Sequence, residues 1–148
     1  MKKVTFLILG LTLITILISA STTDQQEKNT LKGVWELQDQ YMYKNNMVVD
    51  TIENYKNSRQ VKMYTNNKVM WTRYNPKDSV EWFGYGNYIV KDGTLEERLE
   101  YGSFQMMKII DTTKVFRFNL EMTKSTFSQI ALDEQGNKYY SENYTRVD

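Results

Sequence analysis

Turn-forming residues interrupt this chain at short intervals, and those interruptions limit its fold more than any other feature. The breaks are Asn45-Asn46, Asn66-Asn67, Asn75-Pro76-Lys77-Asp78, Asp92-Gly93 and Asp133-Glu134-Gln135-Gly136-Asn137. Asn, Asp and Gly at such points supply the positive φ values that tight hairpins need. Between the breaks the chain is rich in Tyr, Trp, Phe, Val and Thr, residues that fit a pleated, half-buried surface better than a helix. The pattern predicts strands near 32–43, 47–52, 60–65, 68–74, 80–90, 94–101, 104–109, 114–122, 125–132 and 137–147. Segment 51–60, TIENYKNSRQ, is compatible with a helical turn, and the single proline, Pro76, falls in a turn and interrupts no strand.

Successive antiparallel segments in one domain must hide their edges, and closing the sheet on itself does so completely. The segments follow one another as hairpins with no long crossover. This favours an all-β, single antiparallel up-and-down barrel of about 8–10 strands over a two-sheet sandwich.

The N-terminus reads as a separate element. Met1-Lys2-Lys3 precedes the apolar run VTFLILGLTLITILISA, no charge occurs between Lys3 and Asp24, and Ala20 offers a small residue at the end of the run. That is the pattern of a secretory signal peptide over 1–20, so export to a periplasmic or secreted location is expected. A retained membrane anchor is the alternative, because the run approaches the length needed to cross a bilayer. Polar residues 21–30 then form a linker, and 31–148 form one domain.

Composition removes several classes of chemistry. The chain has 19 Lys and Arg against 18 Asp and Glu. Loss of Lys2 and Lys3 would leave 17 − 18 = −1, which implies neither nucleic acid nor, once the leader is cut, a membrane as partner. With no Cys there is no disulfide and no lipidated N-terminal Cys; with no His there is no Ser-His or Cys-His pair, imidazole-ligated haem or Cys/His zinc site. No cofactor or metal is expected. Asp133–Asn137 carries too few acids for a calcium loop and reads as a hairpin turn.

Alternation within strands assigns side chains to faces. Phe116, Phe118, Leu120 and Met122 share an apolar face, and Leu95, Leu99 and Tyr101 share another in which Glu97 is embedded. Val69, Trp71 and Arg73 fall together, as do Trp35, Leu37, Asp39 and Tyr41. The last strand offers Tyr140, Glu142, Tyr144 and Arg146 on one side. Inward charges must be paired, so Arg73 and Arg146 are expected to meet Asp39, Glu97 and Glu142 across the interior, either as a structural ion-pair network or as the polar lining of a ligand cavity. Gly84 and Gly86, mid-strand, suit a bulge, a bend at a barrel corner or a close backbone approach.

Gly33-Val34-Trp35 at the start of the first strand, with Arg146 near the end of the last, resembles the lipocalin signature. The resemblance extends to MWTRY, FGYGNY, LEERLEY and the ending SENYTRVD, and covers 31–148. It is to the small secreted lipocalin-like proteins of bacteria, within the calycin superfamily. It implies an eight-stranded barrel whose floor carries Trp35 under the guanidinium of Arg146, with Gly33 beside them as structural support. The Thr-Asp-Tyr motif of many lipocalins is absent, Asp111-Thr112-Thr113-Lys114 being a loose stand-in, and no two-helix lid is evident between 47 and 60.

The expected function is binding of a small amphipathic or hydrophobic molecule. Trp71, Trp82 and Tyr88 would form the wall, and Arg73, Glu97, Tyr140, Glu142 and Tyr144 the polar contacts. The alternatives are a barrel enzyme of the isomerase, decarboxylase or dehydratase type using Glu97 or Glu142 with Arg or Tyr, and a surface interaction module with a solid core. A monomer or weak dimer is expected.

Overall fold

A computed structural model describes residues 30–54 and 57–148. The expected leader, residues 1–20, and the linker up to residue 29 lie outside the described residues, as do residues 55 and 56 of the uncertain segment.

The described residues form nine antiparallel strands and one helix: β1 Gly33–Lys44, β2 Met47–Glu53, β3 Arg59–Tyr64, β4 Lys68–Tyr74, β5 Trp82–Lys91, β6 Thr94–Gly102, α1 Phe104–Thr112, β7 Phe116–Met122, β8 Thr126–Leu132 and β9 Lys138–Arg146. Consecutive strands pair from β3 to β9, β1 pairs with β3, and β1 also pairs with β9, which closes an up-and-down ring. One edge of β1 is shared. Its first half, Gly33 to Glu36, pairs with β3, and its second half, Asp39 to Lys44, pairs with β2. β2 and β3 thus act as one interrupted strand, and the barrel has eight positions around its circumference.

The hairpins use the chemistry expected of them. Asn45 and Asn46 at the β1–β2 turn, and Asp92 and Gly93 at the β5–β6 turn, all have positive φ. Gly86 sits at a register shift between β5 and β6, where an added Cβ would overlap the backbone of Arg98, so this mid-strand glycine marks a bulge. Gly84 faces Trp71 across β4–β5, and a Cβ there would come 2.8 Å from the indole Nε1. It makes room for the ring.

Two expectations are corrected. Residues 104–109 are not a strand but the start of α1. Ser103 caps this helix, its Oγ accepting from the Met106 N–H at 3.4 Å, and Met106 and Ile110 bury one face four residues apart. The second correction concerns β1. A bulge between Leu37 and Asp39 in the pairing with β9 reverses the alternation, so Asp39 opposes Asn143 on the outer face and accepts from its Nδ2 at 2.7 Å. Asp39 therefore does not join the interior charges.

The apolar core occupies the end of the barrel where β1 begins. Trp35, fully buried, meets Phe127 edge-on at 4.9 Å, and Phe127 stacks on Tyr144 at 4.6 Å. Its Nε1 donates to the Leu31 carbonyl at 2.7 Å, satisfying the one polar atom of the ring. The Arg146 guanidinium carbon lies 4.1 Å from the Trp35 ring centroid, and its Nε, Nη1 and Nη2 donate to the carbonyls of Lys124, Lys32 and Thr30 respectively. Gly33, at φ 133°, lies directly below: a Cβ there would overlap Arg146 Nη1. The glycine before the tryptophan is space for the cation that covers it.

Candidate functional site

Above this floor the interior changes character. The side chains of β3 that point inward are Gln60, Lys62 and Tyr64, while Val61 and Met63 face out. Lys62 and Glu97 are each only 3% exposed, and the Lys62 ammonium lies 3.0 Å from Glu97 Oε1. The same ammonium donates to Gln129 Oε1 at 2.7 Å, and the Tyr64 hydroxyl donates to Glu97 Oε1 at 2.6 Å. Gln129 passes the chain on, its Nε2 donating to Glu142 Oε2 at 2.7 Å. Glu142 also accepts from the Tyr144 hydroxyl at 2.6 Å and, at longer range, from Gln60 and Tyr140. Arg73 closes the series by donating from Nε to Gln60 Oε1 at 2.6 Å, with Nη2 3.6 Å from Glu142 Oε1.

The network balances two cations, Lys62 and Arg73, against two carboxylates, Glu97 and Glu142. Among the described residues no buried side-chain nitrogen or oxygen lacks a partner. Such completeness is what a buried ionic cluster needs to persist, since each ion removed from water costs several kcal/mol before its partners compensate. Burial, with the nearby carboxylates, pushes the Tyr64 and Tyr144 hydroxyls well above their ordinary pKa, and Tyr140 is raised for the same reason.

Against this polar surface lies an apolar one made by Trp71, Leu99, Met106, Phe116 and Phe118. Between the two is a cavity of about 130 Å³, bounded on the polar side by Gln60, Lys62, Glu97, Gln129 and Glu142, with Arg73 where it opens. Met106 comes from α1, so the helix closes part of the wall near the mouth. Arg73, with its side chain 41% exposed, is the lining residue that reaches solvent most fully among the ion-paired groups.

The structure brings Trp71, Arg73, Glu97 and Glu142 to the cavity wall. Tyr144 and Tyr140 stand behind Glu142 as hydrogen-bond donors. Trp82 borders a separate groove at the mouth, with Arg73 and Asn75. Tyr88 lies toward the closed end, edge-on to Tyr64 at 4.8 Å, with its hydroxyl donating to the Thr65 carbonyl. Arg146 covers Trp35 and meets none of the interior carboxylates. Gln60, Lys62, Tyr64 and Gln129 were not singled out by the sequence; their signal is a strand whose polar residues alternate in step with the inward charges of its neighbours.

Two solved structures superpose on this ring. One is an uncharacterized protein from Bacteroides eggerthii, at a TM-score of 0.54 and 12% identity, covering 80% of this chain and all of the other. The second is a lipocalin-like protein from Bacteroides uniformis, at a TM-score of 0.52 and 14% identity, covering 79% of this chain and 98% of the other. The fold is lipocalin-like. A scan against protein-family models and a search of curated proteins each found no match. Within the lipocalin-like barrel, then, this chain's own side chains carry the functional argument. Their arrangement is a half-apolar, half-ionic chamber with its mouth at Arg73. Among the described residues no cluster of acids is placed to hold a metal ion, and no helix is long and apolar enough to cross a membrane.

Proposed function

We propose that this protein is an exported binding barrel that holds a small amphipathic molecule of about one ring in size between the apolar and polar walls of its interior. The observation that carries this reading is the two-faced cavity itself. A purely structural ionic cluster is best left in contact with packed side chains, whereas here it borders open space opposite two tryptophan-class and phenylalanine surfaces, Trp71 and Phe118. A cavity of about 130 Å³ is below the ordinary range for drug-sized ligands, about 300–1,000 Å³, and close to the size that accepts benzene in an engineered core. The occupant is therefore small, with an apolar body and at least one hydrogen-bonding group.

The polar wall is held rigid by its own bonds before any ligand arrives, so little ordering cost falls on binding. Glu97 and Glu142 act in this reading as fixed acceptors that organise Lys62, Gln129 and Gln60. The test is native mass spectrometry of the protein recovered from its own cells, followed by titration with single-ring phenols, amides and acids. A bound small molecule, or a dissociation constant in the micromolar range for one of these, supports the reading. Apo mass together with no binding across the series contradicts it.

A further inference from the structure

The inner cavity does not end at its polar wall. A second cavity of about 150 Å³ lies between β1–β2 and β3–β4, bounded by Leu37, Gln40, Ile52, Asn54, Ser58 and Asn75. Two residues border both spaces, Gln60 and Arg73, and they are joined by the 2.6 Å hydrogen bond from Arg73 Nε to Gln60 Oε1. A third space, a groove of about 330 Å³ bordered by Trp82, also reaches Arg73. Three spaces therefore meet at one guanidinium.

That guanidinium has donors to spare. Among the described residues its Nη nitrogens make no hydrogen bond, and the approach of Nη2 to Glu142 is an ion pair at 3.6 Å. Lys62, by contrast, spends its ammonium on Glu97 and Gln129. Arg59, which also borders the second cavity, is engaged by Glu36 through Nε at 2.6 Å and Nη2 at 3.1 Å. The second cavity is bordered by Arg73 but not by Glu142, so Glu142 is not among the groups that line the space where an anion would sit. The acid on its rim, Glu53, is exposed to solvent.

We infer that the Arg73–Gln60 pair is the shared boundary of the two cavities, and that the site takes a small monocarboxylic acid: its carboxylate on the Nη donors of Arg73 in the second cavity, its ring or short chain in the first. The inference rests on the binding reading above and names the chemical class that reading leaves open. A planar guanidinium whose paired Nη donors make no hydrogen bond matches a carboxylate through paired, charge-assisted hydrogen bonds, which are about twice as strong as neutral ones.

The test is calorimetric titration with matched pairs, phenylacetate against phenylacetamide and 3-phenylpropionate against its amide, on the wild-type chain and on Arg73→Gln and Arg73→Lys. The expected result is tighter binding of each acid than its amide by about tenfold or more in the wild type. Arg73→Gln should erase that preference by weakening the acids about tenfold more than the amides, and Arg73→Lys should keep part of it. Circular dichroism and thermal melts establish that each variant is folded. If the amides bind the wild type as tightly as the acids, the carboxylate assignment is overturned and the binding reading stands. If neither acids nor amides bind, both fall. A preference for acids that survives in folded Arg73→Gln also overturns the assignment, because the selecting cation is then another residue.

Discussion

The Lys62 ammonium lies 3.0 Å from Glu97 Oε1 in the middle of the barrel, on a strand that turns its valine and methionine outward to place that lysine inside. Removing one partner from such a pair leaves an uncompensated buried charge, whereas removing both leaves none. Lys62→Met should therefore cost about 3–5 kcal/mol, and Lys62→Met combined with Glu97→Gln should recover at least half of that loss. Urea unfolding of the two single variants and the double variant measures the cycle. Additive losses would mean that the two groups act independently.

The same burial makes the barrel sensitive to alkali. Tyr64 and Tyr144 have folded-state pKa values raised well above 10.0, chiefly by desolvation and then by the neighbouring carboxylates. Above about pH 10 the unfolded chain loses these protons while the folded chain keeps them, so stability is full below that pH and falls as pH rises. Each group contributes a slope of about 1.4 kcal/mol per pH unit until its folded pKa is reached. Denaturant midpoints between pH 8 and 11 should show this decline, and Tyr144→Phe should flatten it. Absorbance at 295 nm should show the buried tyrosines ionising only as the protein unfolds.

At the closed end, Gly33→Ala places a methyl group where Arg146 Nη1 now sits, on a backbone at φ 133° that L side chains rarely adopt. The expected loss is about 2–4 kcal/mol, combining backbone strain with displacement of the guanidinium from the indole. Arg146→Met should cost about 1–3 kcal/mol through the lost carbonyl and ring contacts. Because both changes break the same contact, the double variant should lose less than the sum. Thermal melts followed by Trp fluorescence report stability and indole environment together.

Much of the architecture was legible in the sequence because it is written in local chemistry. Asn45-Asn46 and Asp92-Gly93 have the positive φ values that their positions predict, and Phe116, Phe118, Leu120 and Met122 face the interior as their alternation indicates. The pairing of Trp35 with Arg146 was implied by the resemblance to the lipocalin signature, and the closed ring brings the two residues together although 111 positions separate them. What escaped was decided by tertiary context. In Arg59–Tyr64 the rule that apolar residues point inward gives the wrong face, because the interior at that level is ionic. The bulge after Leu37 has no local marker, yet it moves Asp39 to the outer surface. The helix at Phe104–Thr112 did leave a trace, a serine cap and the spacing of Met106 and Ile110, which short length made easy to read as a strand.

Cavity size can be changed without touching the ionic wall. Trp71→Ala, on the apolar side opposite Gly84, should enlarge the chamber and cost about 2–4 kcal/mol. The variant should bind 2-naphthol more tightly than phenol, reversing the order in the wild type, and calorimetry on the two ligands checks the reversal. An unchanged order would show that Trp71 does not set the limit on ligand size.

The most direct measurement is a crystal structure of the protein soaked with phenol. Density for the ring is expected between Trp71 and Phe118, with its hydroxyl within hydrogen-bonding distance of a side chain of the ionic wall and the Lys62–Glu97 contact unchanged. An interior that holds only water, or that has closed around its own side chains, in crystals saturated with phenol would contradict the binding reading.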